Sequence, residues 1–115
     1  MKQLQEIRHL SPLERQLLEQ LKGIIARFVP DATVLLYGSA ARGTREPDSD
    51  YDILVITPAS LGSPDEDRIY DAAYDLELEH NIIFSLIFMS VEEWNSPLSK
   101  VSPYHRNVES EGVLI

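Results

Sequence analysis

The sequence predicts an α/β domain in which a small mixed sheet is backed by helices, and three observations predict it. Apolar residues recur at helical spacing over residues 12–28 and again over residues 63–80. Short runs rich in β-branched and aromatic residues stand at 33–37, 53–56 and 82–89. The two patterns alternate along the chain, which is the order expected when strands lie side by side and helices pack on their faces.

Each element has its own signal. Leu4 and Ile7 share one side of a short helix expected in residues 1–10. Ser11-Pro12-Leu13-Glu14 combines a capping box with proline at the first helical position, and Leu13, Leu17, Leu21, Ile24 and Phe28 follow at helical spacing. Pro30-Asp31 ends that helix. The first strand, 33–37, stops at Gly38-Ser39, and the small residues Ala40 and Ala41 allow a helical turn. A polar loop stiffened by Pro47 leads to Asp50-Tyr51-Asp52, which opens the second strand. Ser63-Pro64-Asp65-Glu66 reads as a second cap, starting a helix to about His80. Ile69, Ala72, Ala73, Leu76 and His80 form its buried side, while Asp65, Glu66, Asp67, Asp71 and Asp75 face solvent. The run 82–89 is apolar enough to predict a strand covered on both faces. Ser90-Val91-Glu92-Glu93 opens a helical turn whose Trp94 packs on the core. A loop punctuated by Ser96-Pro97 and Ser102-Pro103 leads to a last helix, 104–111, closed by Gly112 before an apolar tail. Tyr104, His105 and Arg106 are expected to form a surface cluster.

Composition narrows the function. With 115 residues, the chain is expected to be one domain spanning 1–115. A net charge of -9 argues against a tight grip on DNA or RNA, which depends on neutralising several phosphates with Lys and Arg. It suits a small substrate whose phosphates are met by a metal, or a partner that brings positive charge. No cysteine is present, so disulfides and thiolate chemistry are excluded. Residues 1–10 have no apolar core of the signal-peptide kind, and a cytoplasmic protein is expected.

The residues of chemical interest lie between 34 and 56. Strand alternation puts Asp50 and Asp52 on one face with Tyr51 on the other, so two carboxylates stand side by side. They repel one another, and Mg²⁺ relieves that repulsion while filling its octahedron with water and phosphate oxygens. Gly38 permits close approach of the backbone to a ligand, and Ser39 adds a hydroxyl and an N–H. Ser49 is placed to bond backbone near the acids. Arg42 and Arg45 are the cations of the loop, reaching either phosphate oxygens or the surface acids Glu46 and Asp48. His9, His80 and His105 show no spacing of a metal site.

Gly38-Ser39, ten residues, then Asp50-x-Asp52, with Ala41-Arg42-Gly43 and Ser49 between them, resembles the minimal nucleotidyltransferases of the DNA polymerase beta superfamily. The resemblance covers roughly residues 13–89. It implies transfer of a nucleoside monophosphate, most often AMP from ATP, to a hydroxyl acceptor. In that scheme Asp50 and Asp52 are catalytic and hold Mg²⁺, while Gly38, Ser39, Arg42 and Ser49 bind the nucleotide. Free-standing members of this size also look like one half of two-gene modules whose other half is a helical HEPN-type protein. A toxin-antitoxin pairing with such a partner follows from the resemblance.

One departure stands out. Active members carry a third carboxylate on the strand corresponding to 82–89, where this chain offers only Ser85 as a polar residue. A hydroxyl is a poor Mg²⁺ ligand and no general base, so turnover is put in doubt more than binding. The alternative is a nucleotide- or partner-binding module with weak or no catalysis.

Overall fold

The computed structural model describes residues 1–115. Five strands form one mixed sheet: β1 (Lys2–Gln3), β2 (Thr33–Tyr37), β3 (Tyr51–Thr57), β4 (Phe84–Ser90) and β5 (Val113–Leu114), in the spatial order β1-β5-β2-β3-β4. β2 is antiparallel to β3 and to β5, while β3 runs parallel to β4. Six helices complete the fold: α1 (Pro12–Phe28), α2 (Gly38–Arg42), α3 (Ser63–His80), α4 (Val91–Trp94), α5 (Pro97–Lys100) and α6 (Pro103–Glu111). The predicted α/β class with a mixed sheet is what is found.

α1 begins at the predicted residue. Ser11 Oγ accepts the Glu14 N–H at 3.1 Å, and Glu14 Oε1 accepts the Ser11 N–H at 3.0 Å. Its buried stripe is Leu17, Leu18, Leu21, Ile24 and Ile25. Leu13 and Phe28, expected inside, are exposed, because a broad stripe centred on Leu21 leaves the two ends of the helix pointing past the sheet. Residues 1–10 form β1 and a 3-10 turn rather than a helix, yet Leu4 and Ile7 are buried as the pattern implied. α3 starts after Gly62, with Ser63 inside the helix and no side-chain cap.

The sheet has two unlike faces. Val34, Leu36, Ile53, Val55, Phe84 and Leu86 join α1 and α3 in the main core. Leu35, Leu54 and Ile56 point the other way, onto Trp94 and Val108 from the C-terminal helices. Asp52 shares this second face, since it has the parity of Leu54 and Ile56.

Two expectations are corrected at the sheet margins. The apolar tail is the strand β5, inserted between β1 and β2, and Ile115 N–H reaches the Val34 carbonyl at 3.0 Å. β4 is an edge strand, and Ile83 and Ile87 stay exposed because α4, α5 and α6 cover only the far end of its second face. The parallel ladder turns alternate main-chain groups of β4 outwards, and side chains cap them. Glu77 accepts the Phe84 N–H at 2.8 Å, Tyr70 donates to the Leu86 carbonyl at 3.0 Å, and Glu93 accepts the Ser90 N–H at 3.1 Å.

Candidate functional site

The corner between β2 and α2 places the glycine-serine pair beside the acids. Tyr37 lies opposite Asp52 in the antiparallel register, so the residue after it, Gly38, turns over the start of β3. Gly38 adopts a left-handed φ of 73°, and a Cβ there would collide with the Asp52 carboxylate. Only glycine permits this contact. Gly43, with φ 83°, closes α2, and its N–H returns to the Ser39 carbonyl at 3.0 Å. His9 supports the turn from below, with Nε2 2.8 Å from the Ala40 carbonyl oxygen. That role is structural.

Asp52 is half-buried on β3, while Asp50 precedes the strand and is exposed. Burial pushes the Asp52 carboxyl above the usual carboxylate range. The Asp50 charge raises it further, the Arg42 guanidinium opposes the rise, and Glu111 adds to it. Repulsion left unrelieved between neighbouring acids is the condition a divalent cation answers. No three His, Cys, Asp or Glu side chains converge so as to hold a metal by themselves. Asp50 and Asp52 are the acids that could hold a divalent cation here, the rest of its shell coming from outside the protein.

Ser85 lies directly across from Asp52 in the β3–β4 register. This is the neighbouring position on the same face, and it carries a hydroxyl. The other predicted residues are placed as follows. Ser39 is half-buried at the corner with a free hydroxyl. Ser49 bonds only through its N–H, to the Glu46 carbonyl at 3.0 Å, and lines a cleft with Asp50 and Arg45. The Arg45 guanidinium lies over the Tyr51 ring at 4.2 Å and donates to the Pro47 carbonyl at 3.2 Å. Glu46 and Asp48, its expected partners, are not used.

Arg42 pairs instead with Glu111, the last residue of α6, at 2.8 Å, and the other oxygen of that carboxylate accepts the Gly38 N–H at 3.3 Å. Glu111 was invisible to sequence reasoning. It lies far along the chain, and only the insertion of β5 brings the end of α6 to the corner.

An aromatic wall was also missed. Tyr37 and Tyr104 meet edge-on with ring centroids 5.4 Å apart, and the Tyr104 hydroxyl is buried without a hydrogen-bond partner. Burial raises both hydroxyl pKa values, the Tyr37 hydroxyl lifts that of Tyr104 further while Tyr104 offsets part of the rise at Tyr37, and the Asp52 charge adds a smaller push to each. The expected surface cluster at 104–106 is corrected: His105 is buried and stacked on Trp94 at 3.8 Å, which also bears out the core position of that tryptophan. Ser99 Oγ, 3.1 Å from His105 Nδ1, and Glu109, 3.3 Å from Nε2, hold the ring.

The nucleotidyltransferase domain family matches residues 18–112, further towards the C-terminus than the motif spacing alone reached. The chain is 34% identical over 82 residues to a Methanocaldococcus jannaschii protein named "Putative protein adenylyltransferase MJ0604", covering 71% of this chain and 75% of that one. It also shares its fold with a solved structure titled "Crystal structure of the toxin-antitoxin with AMP-PNP", with a TM-score of 0.58 and 19% identity over 84% of this chain and 69% of that one. The chain belongs to the nucleotidyltransferase domain family of the DNA polymerase beta superfamily.

Proposed function

We propose that residues 1–115 act as one Mg²⁺-dependent domain that transfers AMP from ATP to a hydroxyl on a protein, with a helical HEPN-type partner as the acceptor and a toxin-antitoxin pair as the setting. The observation that carries this reading is the contact of the Asp52 carboxylate with Gly38, with Arg42 beside them. One corner thus offers a metal ligand, backbone donors and a guanidinium to a single triphosphate. The adenylyltransferase name of the archaeal relative and the toxin-antitoxin title of the structural neighbour support AMP transfer and a protein partner.

In this scheme Gly38, Ser39, Arg42 and Ser49 orient the phosphates, and Asp50 and Asp52 hold the cation. Bound Mg²⁺ would supply charge stabilisation to the phosphates. The acceptor oxygen bonds to the α-phosphorus while the bond from that phosphorus to the bridging oxygen breaks, and pyrophosphate leaves in line. The hydroxyl proton passes to water, because Ser85 has no basic group to take it. Tyr37 and Tyr104 limit water on one side of the acids. The protein contributes position and charge.

Incubating the chain with labelled ATP, Mg²⁺ and the partner tests the proposal, and label entering the partner is the expected result. Calorimetry with Mg²⁺–ATP on the wild type and on Asp50→Asn tests the site itself: binding is lost in the variant. The Ser85 hydroxyl beside Asp52 favours one second reading, a binding module that holds nucleotide and partner without turnover. Metal-dependent binding with no label transfer would select it.

A further inference from the structure

The Glu111 carboxylate already occupies the donors that the proposed site offers to phosphate. One of its oxygens takes the Gly38 N–H at 3.3 Å, and the other takes the Arg42 guanidinium at 2.8 Å. Its side chain is 17% exposed and that of Arg42 51%, so the carboxylate end of this charge-assisted pair is shielded while the guanidinium end meets water. The same carboxylate adds to the negative potential at Asp52. A carboxylate and a phosphate make the same demand of an N–H and a guanidinium, and the two anions cannot share them.

Glu111 has somewhere else to go. The Arg42–Glu111 pair forms part of the wall of an open cavity of about 950 Å³ that also carries Lys2 and Arg8. Neither Lys2 nor Arg8 is engaged in an ion pair. These two cations, on a wall that also holds Glu6 and Glu109, are the groups to which a displaced carboxylate could turn.

We propose that Glu111 is an internal competitor for the phosphate subsite, which a nucleotide must displace before Arg42 can reach it. This rests on the nucleotidyltransferase reading above and adds a regulatory residue from α6 to that site. Nucleotide affinity is then reduced by the fraction of molecules in which Glu111 holds the corner. Anything that draws Glu111 away, such as a cationic partner surface at the end of α6, raises it.

The test is calorimetry of Mg²⁺–AMP-PNP on the wild type, Glu111→Gln and Glu111→Asp, with thermal melts to confirm that each folds. Glu111→Gln removes the charge, and Glu111→Asp keeps it on a side chain too short to span both donors. Both variants are expected to bind about tenfold more tightly than the wild type, the order of one charge-assisted contact no longer broken. Tighter binding by Glu111→Gln alone would overturn the proposal in favour of a through-space charge effect. Equal affinities in all three would end it and leave the nucleotide site standing. Binding by none of them would end both.

Discussion

Ser85 and Asp52 are paired across β3 and β4, with their side chains on the same face of the sheet. A carboxylate introduced at 85 would stand beside Asp52 and Asp50, which makes the missing acid testable by a single substitution. Ser85→Asp is expected to lose about 0.5–1 kcal/mol of stability in chelator, because a third like charge joins the pair. In Mg²⁺ it should gain more thermal stability than the wild type does and bind the ion about tenfold more tightly, from one added ligand. Melting curves with EDTA and with Mg²⁺, and label transfer at saturating ATP, check both halves.

Gly38 has no room for a side chain. Gly38→Ala must move the Asp52 carboxylate or abandon a φ of 73°, so a loss of about 1–3 kcal/mol is expected along with nucleotide binding. Gly23 is the control. It sits inside α1 with nothing near the position of an added Cβ, and Gly23→Ala should stabilise by about 0.5–1 kcal/mol. Denaturant midpoints of the two variants should move in opposite directions.

Asp52 is held in a strained electrostatic position. Its pKa is raised by burial and by Asp50, so the folded state holds a proton there at pH values where the unfolded chain has released it. Stability therefore falls as pH rises from the ordinary aspartate range through the raised value. Asp52→Asn removes that penalty, and its Tm at pH 7 should exceed the wild-type value. The gain should stay below about 1 kcal/mol because solvent reaches the group. Nucleotide binding that depends on Mg²⁺ should vanish in the same protein.

The start of α1 is tied to the start of β3. Glu14 caps its helix and also accepts the Tyr51 hydroxyl at 2.8 Å. Burial would raise the Glu14 pKa, but the Ser11 bonds, the Tyr51 hydroxyl and the Arg45 charge outweigh it, and the net shift is downward. Its contribution is present above the ordinary glutamate range and is lost as pH falls through the lowered value. Tyr51 responds at the alkaline end. Burial and the bond to Glu14 push its hydroxyl up to about 12, so its contribution holds below its ordinary value and fades as pH rises through the raised one. Tyr51→Phe should cost about 1–2 kcal/mol at pH 7 and flatten the alkaline limb of a stability-pH curve.

Local signals carried the sequence reading far. The Ser11 capping box, the halt of β2 at Gly38 and the opening of β3 beside Asp52 are decided within a few residues, and each can be read from a short window. What escaped depends on which distant segments meet. Nothing in residues 82–89 says that the segment forms an edge, because its apolar content is the same whether a neighbour covers it or Glu77, Tyr70 and Glu93 cap its main chain. Glu111 and Tyr104 reach the corner only because β5 inserts beside β2, a pairing that no periodicity encodes. His105 looked like a surface residue because its stacking partner, Trp94, lies on another short helix.

The insertion of β5 also bears on how the protein is made. β1 and the side of β2 away from β3 have no strand neighbour until residues 113–115 have been made. A nascent chain ending before that point would present an unpaired β2 edge to its surroundings. Because Glu111 sits immediately ahead of the same strand, the seating of β5 beside β2 and the arrival of the Glu111 carboxylate at the Gly38 corner are one event.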